Sequence, residues 1–176
     1  LFAEGQGGFG GAGFDLAVVF EALGRAGFVE PFMETAILAG GLIARLGNPA
    51  QQDLLDRLMA GGLQLAFAHG EPTGRYDLTH VATTARVQDD TILLTGRKAV
   101  VFNAERADML VVSARESGAV DDPEGLSLFL VPKDTPGLGI QGYALLAGGR
   151  AAEVTLEQVR LGAHARLGAP GQAAEA

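Results

Sequence analysis

The side chains able to do chemistry gather between His69 and Asn103. His69, Glu71, Arg75, Tyr76 and Asp77 fall in or beside the stretch Gly70-Glu71-Pro72-Thr73-Gly74, whose Pro and Gly can continue neither helix nor strand. A carboxylate in such a break can serve as a general base, or it can accept from nearby backbone N–H groups and hold the turn; for Glu71 the second reading is the stronger. His69 could move a proton at a pocket wall, but a single His reads better as a satisfied wall residue. Arg75 is placed to meet a phosphate, or to stand solvated in a polar loop. His69, His80 and His164 are too scattered for a metal site, and no Ser stands in a nucleophile-elbow sequence. The chain has no Cys, which excludes disulfides, thiolate chemistry and sulfur-ligated metals.

These residues need a scaffold, and the pattern supplies one. Leu63 to Ala68 is an apolar run of strand length leading into the break. Val81 to Val87 reads as a strand, Gln88-Asp89-Asp90 as a turn, and Thr91 to Ala99 as the return strand, with Ile92 and Leu94 alternating against Thr91 and Thr95. This hairpin brings Lys98 to Asn103 beside the Glu71-Pro72 loop if the two runs share a sheet. Met109 to Arg115, Leu126 to Pro132, a broken segment around Leu138 to Tyr143, and Ala152 to Val159 read as further strands.

Upstream the period is helical. Asp15 can cap a helix whose stripe of Leu16, Val19, Phe20 and Leu23 is expected to be core, with Gly27 ending it. Pro31 suits the first turn of a second helix, apolar almost all round and so expected to be buried, in which Gly40-Gly41 permits close packing. Asn48-Pro49-Ala50-Gln51 has the form of a capping box opening a third helix, stopped by Gly61-Gly62. Gly8-Phe9-Gly10-Gly11-Ala12-Gly13 spells G-x-G-x-x-G. A dinucleotide loop needs a preceding strand and a βαβ unit, and neither is present, so a flexible turn is the better reading than a nucleotide-binding module. Helices first and strands afterwards indicate an α+β arrangement.

Glu71-Pro72, Asp77, the Thr83-Thr84 strand, the hairpin, Thr95-Gly96-Arg97-Lys98 and Asn103 together resemble the middle domain of the acyl-CoA dehydrogenases, worded Thr-Glu-Pro-Gly-x-Gly-Ser-Asp and then Asn-Gly-x-Lys-x-Trp-Ile-Thr-Asn. Asn48 to Gly61 is similar to a helix of that family, and Leu126 to Pro132 to one of its strands. Arg75-Tyr76-Asp77-Leu78 is closest in wording to the branch containing pimeloyl-CoA dehydrogenase small subunits. The resemblance implies that residues 1–62 are the end of an N-terminal helical domain and 63–167 a middle β-barrel domain. Residues 168–176 would begin a linker into a C-terminal helical bundle absent from this sequence. Leu1 and the Gly168 to Ala176 tail fit a piece of a longer enzyme.

The resemblance also implies FAD as cofactor and an acyl-CoA thioester as substrate, desaturated at Cα–Cβ with hydride passing to flavin N5 while a carboxylate outside this stretch takes the proton. An electron-transfer flavoprotein is the implied acceptor, and the assembly a homo- or hetero-oligomer. By position, the flavin ledge matches Phe67, Ala68, His69 and Gly70, then Val100, Val101 and Phe102, while Tyr76 and Arg75 match substrate contacts. Here the sequence departs from the family: Gly70 replaces a Thr, Val100 a Trp, and Phe102 the Thr that addresses N5. Those departures raise a second reading, a non-catalytic partner subunit with a degenerate flavin site. The net charge of −8 disfavours nucleic acid and anionic membrane as partners, no apolar run is long enough to span a bilayer, and the expected location is cytoplasmic.

Overall fold

The computed structural model describes every residue except Leu1, Ala12, Ala147 and Ala176. Among the described residues, a 3-10 turn (Glu4–Gln6) and three longer helices precede a sheet. The first, α1 (Gly13–Arg25), begins ahead of Asp15, which sits in its first turn, and ends as expected at Gly27, whose φ of 64° lets the Phe28 N–H reach back to the Leu23 carbonyl. Its stripe is not core: Leu16, Phe20 and Leu23 are half-buried, Val19 is exposed, and no described residue of the helix is fully buried. An amphipathic pattern shows that a face can be covered, not what covers it. Within this chain the cover is partial, with Phe20 meeting the edge of Phe32 at 5.7 Å between ring centroids.

The second helix opens with a wide π stretch (Met33–Ala39) and continues as α2 (Gly40–Leu46). Expected to be buried all round, it buries one side only, through Thr35, Ala39, Gly40 and Ile43; Met33 and Leu38 face solvent. Gly40 is where it packs tightest, because a Cβ there would come within 2.7 Å of Leu58 and 3.0 Å of Phe2. Helix α3 (Pro49–Met59) has the capping box its sequence predicts: Gln51 N–H donates to Asn48 Oδ1 at 3.0 Å and Asn48 N–H to Gln51 Oε1 at 2.9 Å. The same Gln51 is buried and donates to the carbonyls of His164 and Arg166, tying the helix to the end of the sheet.

Among the described residues eight strands follow: β1 (Leu65–Ala68), β2 (Thr84–Gln88), β3 (Thr91–Phe102), β4 (Met109–Arg115), β5 (Leu126–Pro132), β6 (Leu138–Ala144), β7 (Arg150–Gly162) and β8 (Arg166–Leu167). They form one sheet in the order β6-β7-β3-β2-β4-β5-β8, with β1 parallel to β4. The β2–β3 hairpin turns at Asp89, which takes a left-handed φ of 52°. Leu138 to Ala144 is a continuous strand, not a broken one, paired along its length with β7. Between β2 and β4 a single pair, Thr84↔Arg115, joins the two halves of the sheet. The halves fold over one core that includes Ala66, Ala68, Ile92, Leu94, Leu110, Val112, Phe129, Val154 and Leu156. The opposite faces of β1, β4 and β5, with Leu65, Val111, Leu128 and Leu130, form a second core against Ile43, Leu55 and Leu58 of the helices. Those three strands are therefore buried on both faces, which is why they read as continuous apolar runs.

Candidate functional site

The Glu71-Pro72 loop rests on a buried polar network. Lys98, whose side chain is 0% exposed, sends its ammonium to Glu71 Oε1 at 2.7 Å, Ser113 Oγ at 3.0 Å and the His69 carbonyl at 3.2 Å. Lys98 stands on β3 opposite Val154 of β7, and Ser113 on β4 opposite Leu128 of β5, on the face that carries Val111. Burial pushes the ammonium down to about 8, against the pull of the Glu71 carboxylate. Burial acts to raise the Glu71 carboxyl, but the Lys98 charge and hydrogen bonds from Lys98 and Thr83 outweigh it and hold it below its ordinary value. Glu71 also accepts from the N–H groups of Ala82 at 2.7 Å and Thr83 at 2.9 Å. Both oxygens of this carboxylate are engaged, Oε1 by Lys98 and Thr83 and Oε2 by Ala82, which is the structural role preferred from sequence and leaves it poorly suited to act as a base.

His69 joins the network. Its Nδ1 lies 3.0 Å from Ser113 Oγ, and its ring stacks on Phe67 with centroids 5.4 Å apart. An ammonium can only donate, so Ser113 Oγ accepts from Lys98 and has its own proton for His69 Nδ1. The remaining ring N–H then serves the hydrogen bond to the Leu78 backbone. Burial first, and the Lys98 charge second, lower the imidazole below its ordinary value, so the ring is neutral and braced on both sides.

The far end of the loop is held by a different cation. Arg115, at the end of β4 and buried, donates to six backbone carbonyls: Val81 from Nε at 3.1 Å; Ser117 and Glu124 from Nη1 at 3.3 and 2.9 Å; Thr79, Val120 and Asp122 from Nη2 at 2.9, 3.1 and 3.0 Å. Between the two cations the loop turns through Gly74 N–H to Glu71 O and Asp77 N–H to Gly74 O, and Asp77 Oδ1 then caps Thr79 N–H at 2.9 Å. Arg75, with a left-handed φ of 52°, and Tyr76, 100% exposed, stand at its rim.

The predicted ledge residues come together where β1 runs out beside β3. The Ala99 N–H donates to the Gly70 carbonyl at 2.8 Å, so the two runs do meet in one sheet. Ala68 and Val101 put their side chains in the core, and only their backbone can serve a ligand; Phe67 and His69 are half-buried and Gly70 is exposed. Between Lys98↔Val154 and Val101↔Ala152, two residues of β3 face one of β7, a bulge at Ala99-Val100. Val100 takes a φ of 54°, which a β-branched residue rarely adopts, and is turned outward at 49% exposure; Phe102 is 43% exposed. An exposed backbone at Gly70 beside half-exposed Val100 and Phe102 fits a flat, apolar ring with polar edges, such as a flavin.

Ser113 and Arg115 were not singled out by sequence. The signal was there: a Ser and an Arg inside Met109-Leu110-Val111-Val112-Ser113-Ala114-Arg115, a strand otherwise without polar atoms, demand buried partners. Of the Gly8 to Gly13 stretch, in which Ala12 lies outside the described residues, Gly10 and Gly11 take positive φ, and among the described residues no strand precedes α1 as a phosphate loop requires. Among the described residues no group of His, Asp and Glu could hold a metal ion, and no helix is long and apolar enough to cross a membrane.

Residues 66–159 match the model of the acyl-CoA dehydrogenase middle domain. Acyl-CoA dehydrogenase FadE12 of Mycobacterium tuberculosis is 31% identical over 167 residues, 92% of this chain and 43% of that protein. The human mitochondrial short-chain specific acyl-CoA dehydrogenase is 31% identical over 173 residues, 92% of this chain and 41% of its own length. Among solved structures, a probable acyl-CoA dehydrogenase from Mycobacterium abscessus superposes with a TM-score of 0.87 at 27% identity, covering 99% of this chain and 48% of that one. The chain thus spans less than half the length of these relatives.

Proposed function

The chain belongs to the acyl-CoA dehydrogenase family, and from that premise we propose that it is the flavin-facing part of an enzyme that desaturates an acyl-CoA thioester at Cα–Cβ. The observation that carries this reading is the junction of the Glu71-Pro72 loop with the end of β3, where a buried ion pair holds an exposed backbone edge next to an apolar surface. FAD, when bound, supplies the hydride acceptor. The backbone of Phe67 to Gly70 and of Val100 to Phe102 would hold its ring, and fixed N–H donors there favour the negative charge that reduction brings. Tyr76 and Arg75, at the loop rim, would meet the acyl-CoA. Glu71 is committed to Lys98 and two N–H groups, so the proton acceptor lies elsewhere in the enzyme. An electron-transfer flavoprotein would take the electrons. The test is the visible absorbance of the purified full-length enzyme that contains this chain, before and after an acyl-CoA is added: bound flavin that bleaches is expected, and a protein that retains no flavin after reconstitution with FAD overturns the assignment.

Phe102 favours a second reading, a partner subunit with a degenerate flavin site, because a half-exposed phenyl ring stands where a hydroxyl would address N5. If that reading holds, Phe102→Thr raises flavin retention from none; if the native chain already retains flavin, it fails.

A further inference from the structure

The peptide joining His69 and Gly70 has its two polar ends treated differently. Its carbonyl points into the buried network and accepts from the Lys98 ammonium at 3.2 Å. A trans peptide keeps C=O and N–H on opposite sides, so the Gly70 N–H is directed away from the network. That N–H has no acceptor among the described residues, and Gly70 is exposed. Glycine makes this orientation precarious. A peptide flip needs rotation about ψ of His69 and φ of Gly70, and without a Cβ the second rotation meets little steric resistance. What resists it is Lys98. Its three ammonium protons have three acceptors, Glu71 Oε1, Ser113 Oγ and the His69 carbonyl, and a flip would leave one proton unmatched in a buried site. Glu71 is itself fixed by Ala82 and Thr83, so the ammonium has nowhere to follow.

The geometry points to Lys98 as a positioning residue for ligand recognition: by holding the His69 carbonyl inward it presents the Gly70 N–H outward as a ready donor to a ring carbonyl or anionic ring nitrogen of a flavin. The choice of ligand rests on the function proposed above; the hold on the peptide does not. Lys98 never touches the ligand. It replaces the steric lock that a side chain at position 70 would provide.

The test uses the full chain labelled with ¹³C and ¹⁵N, comparing native protein with Lys98→Met/Glu71→Gln, which removes both charges so that neither is left buried alone. Three quantities are read: the His69 ¹³C′ and Gly70 ¹⁵N shifts, the shift of the Gly70 amide on adding FAD, and the FAD dissociation constant. In the double variant the His69 ¹³C′ resonance is expected to move upfield, the Gly70 amide to lose its response to FAD, and FAD binding to weaken about tenfold, the worth of one hydrogen bond. Unchanged His69 and Gly70 shifts overturn the inference even if flavin binds well. A native chain that binds no FAD overturns the functional reading and the donor role, while the His69 shift still decides whether Lys98 holds the peptide. Should the variant not fold, the native chain decides: Lys98 faces the titratable groups Glu71 and His69, both lowered, so above pH 7 the His69 ¹³C′ shift must follow the Lys98 Nζ resonance. A carbonyl that stays still while the amine titrates sinks the proposal.

Discussion

Lys98 and Arg115 are buried cations at the two ends of one loop, and they are stabilised in unlike ways. Lys98 has a carboxylate, a hydroxyl and one carbonyl; Arg115 has six carbonyls and, among these hydrogen bonds, no anion. The difference follows from the two head groups. An ammonium is a compact charge with three protons, and out of water it needs a counter-charge close by or it deprotonates. A guanidinium spreads its charge over five donors in a plane, is weakly hydrated, and does not lose its proton, so a ring of carbonyl dipoles suffices. The start of the loop is thus held by an interaction that can titrate, and its end by one that cannot.

Lys98→Met should show the largest effect, about 4 kcal/mol in urea unfolding, because it strands the Glu71 carboxylate in the core. The double variant with Glu71→Gln should recover most of that loss. Arg115→Lys should cost about 2 kcal/mol, less than the first change because four of the six carbonyls it holds, those of Ser117, Val120, Asp122 and Glu124, belong to exposed residues that water can reach; amide exchange should speed up across residues 117–124 while the Gly70 end stays protected. A larger loss than that of Lys98→Met would reverse the ranking. Ser113→Ala, which removes one acceptor from Lys98 and the donor to His69, should cost about 1 kcal/mol.

The smallest effect is the most specific. The unfolded chain protonates His69 near 6.5, while burial and Lys98 make the folded chain resist that proton until lower pH. Stability contributed by His69 is therefore present above 6.5 and lost as pH falls through the lower folded value; Glu71, also lowered, adds a loss starting below 4.5. The melting temperature should fall from pH 7 to pH 5 in the native chain and in Arg115→Lys alike, and less steeply in His69→Gln. Equal slopes in all three would remove the distinction between a titrating and a non-titrating end.

What sequence could supply here was local. The capping box at Asn48, the β2–β3 hairpin and the two long apolar strands each depend on neighbours in the chain, and each formed nearly where the pattern put it. Glu71 as a loop-holding carboxylate was legible for the same reason. The burial of Lys98 was not, because its partners sit 27 and 15 residues away and only the sheet brings them together. Arg115 escaped notice likewise, its acceptors being backbone atoms that carry no residue signature. The stripe of α1 failed in the other direction: its period was right, and the missing ingredient was a surface to cover it.

Strand β1 is short, and it alternates Leu65 and Phe67 toward the helices with Ala66 and Ala68 toward the core between the two halves of the sheet. With each face matched to a different size of side chain, a slip of one residue along β4 would drive a leucine and a phenylalanine into spaces cut for methyl groups. The strand is keyed like a shaft in a slot. Its four residues fix where the chain emerges, and the contact from Lys98 sets how the His69–Gly70 peptide is turned once it is there.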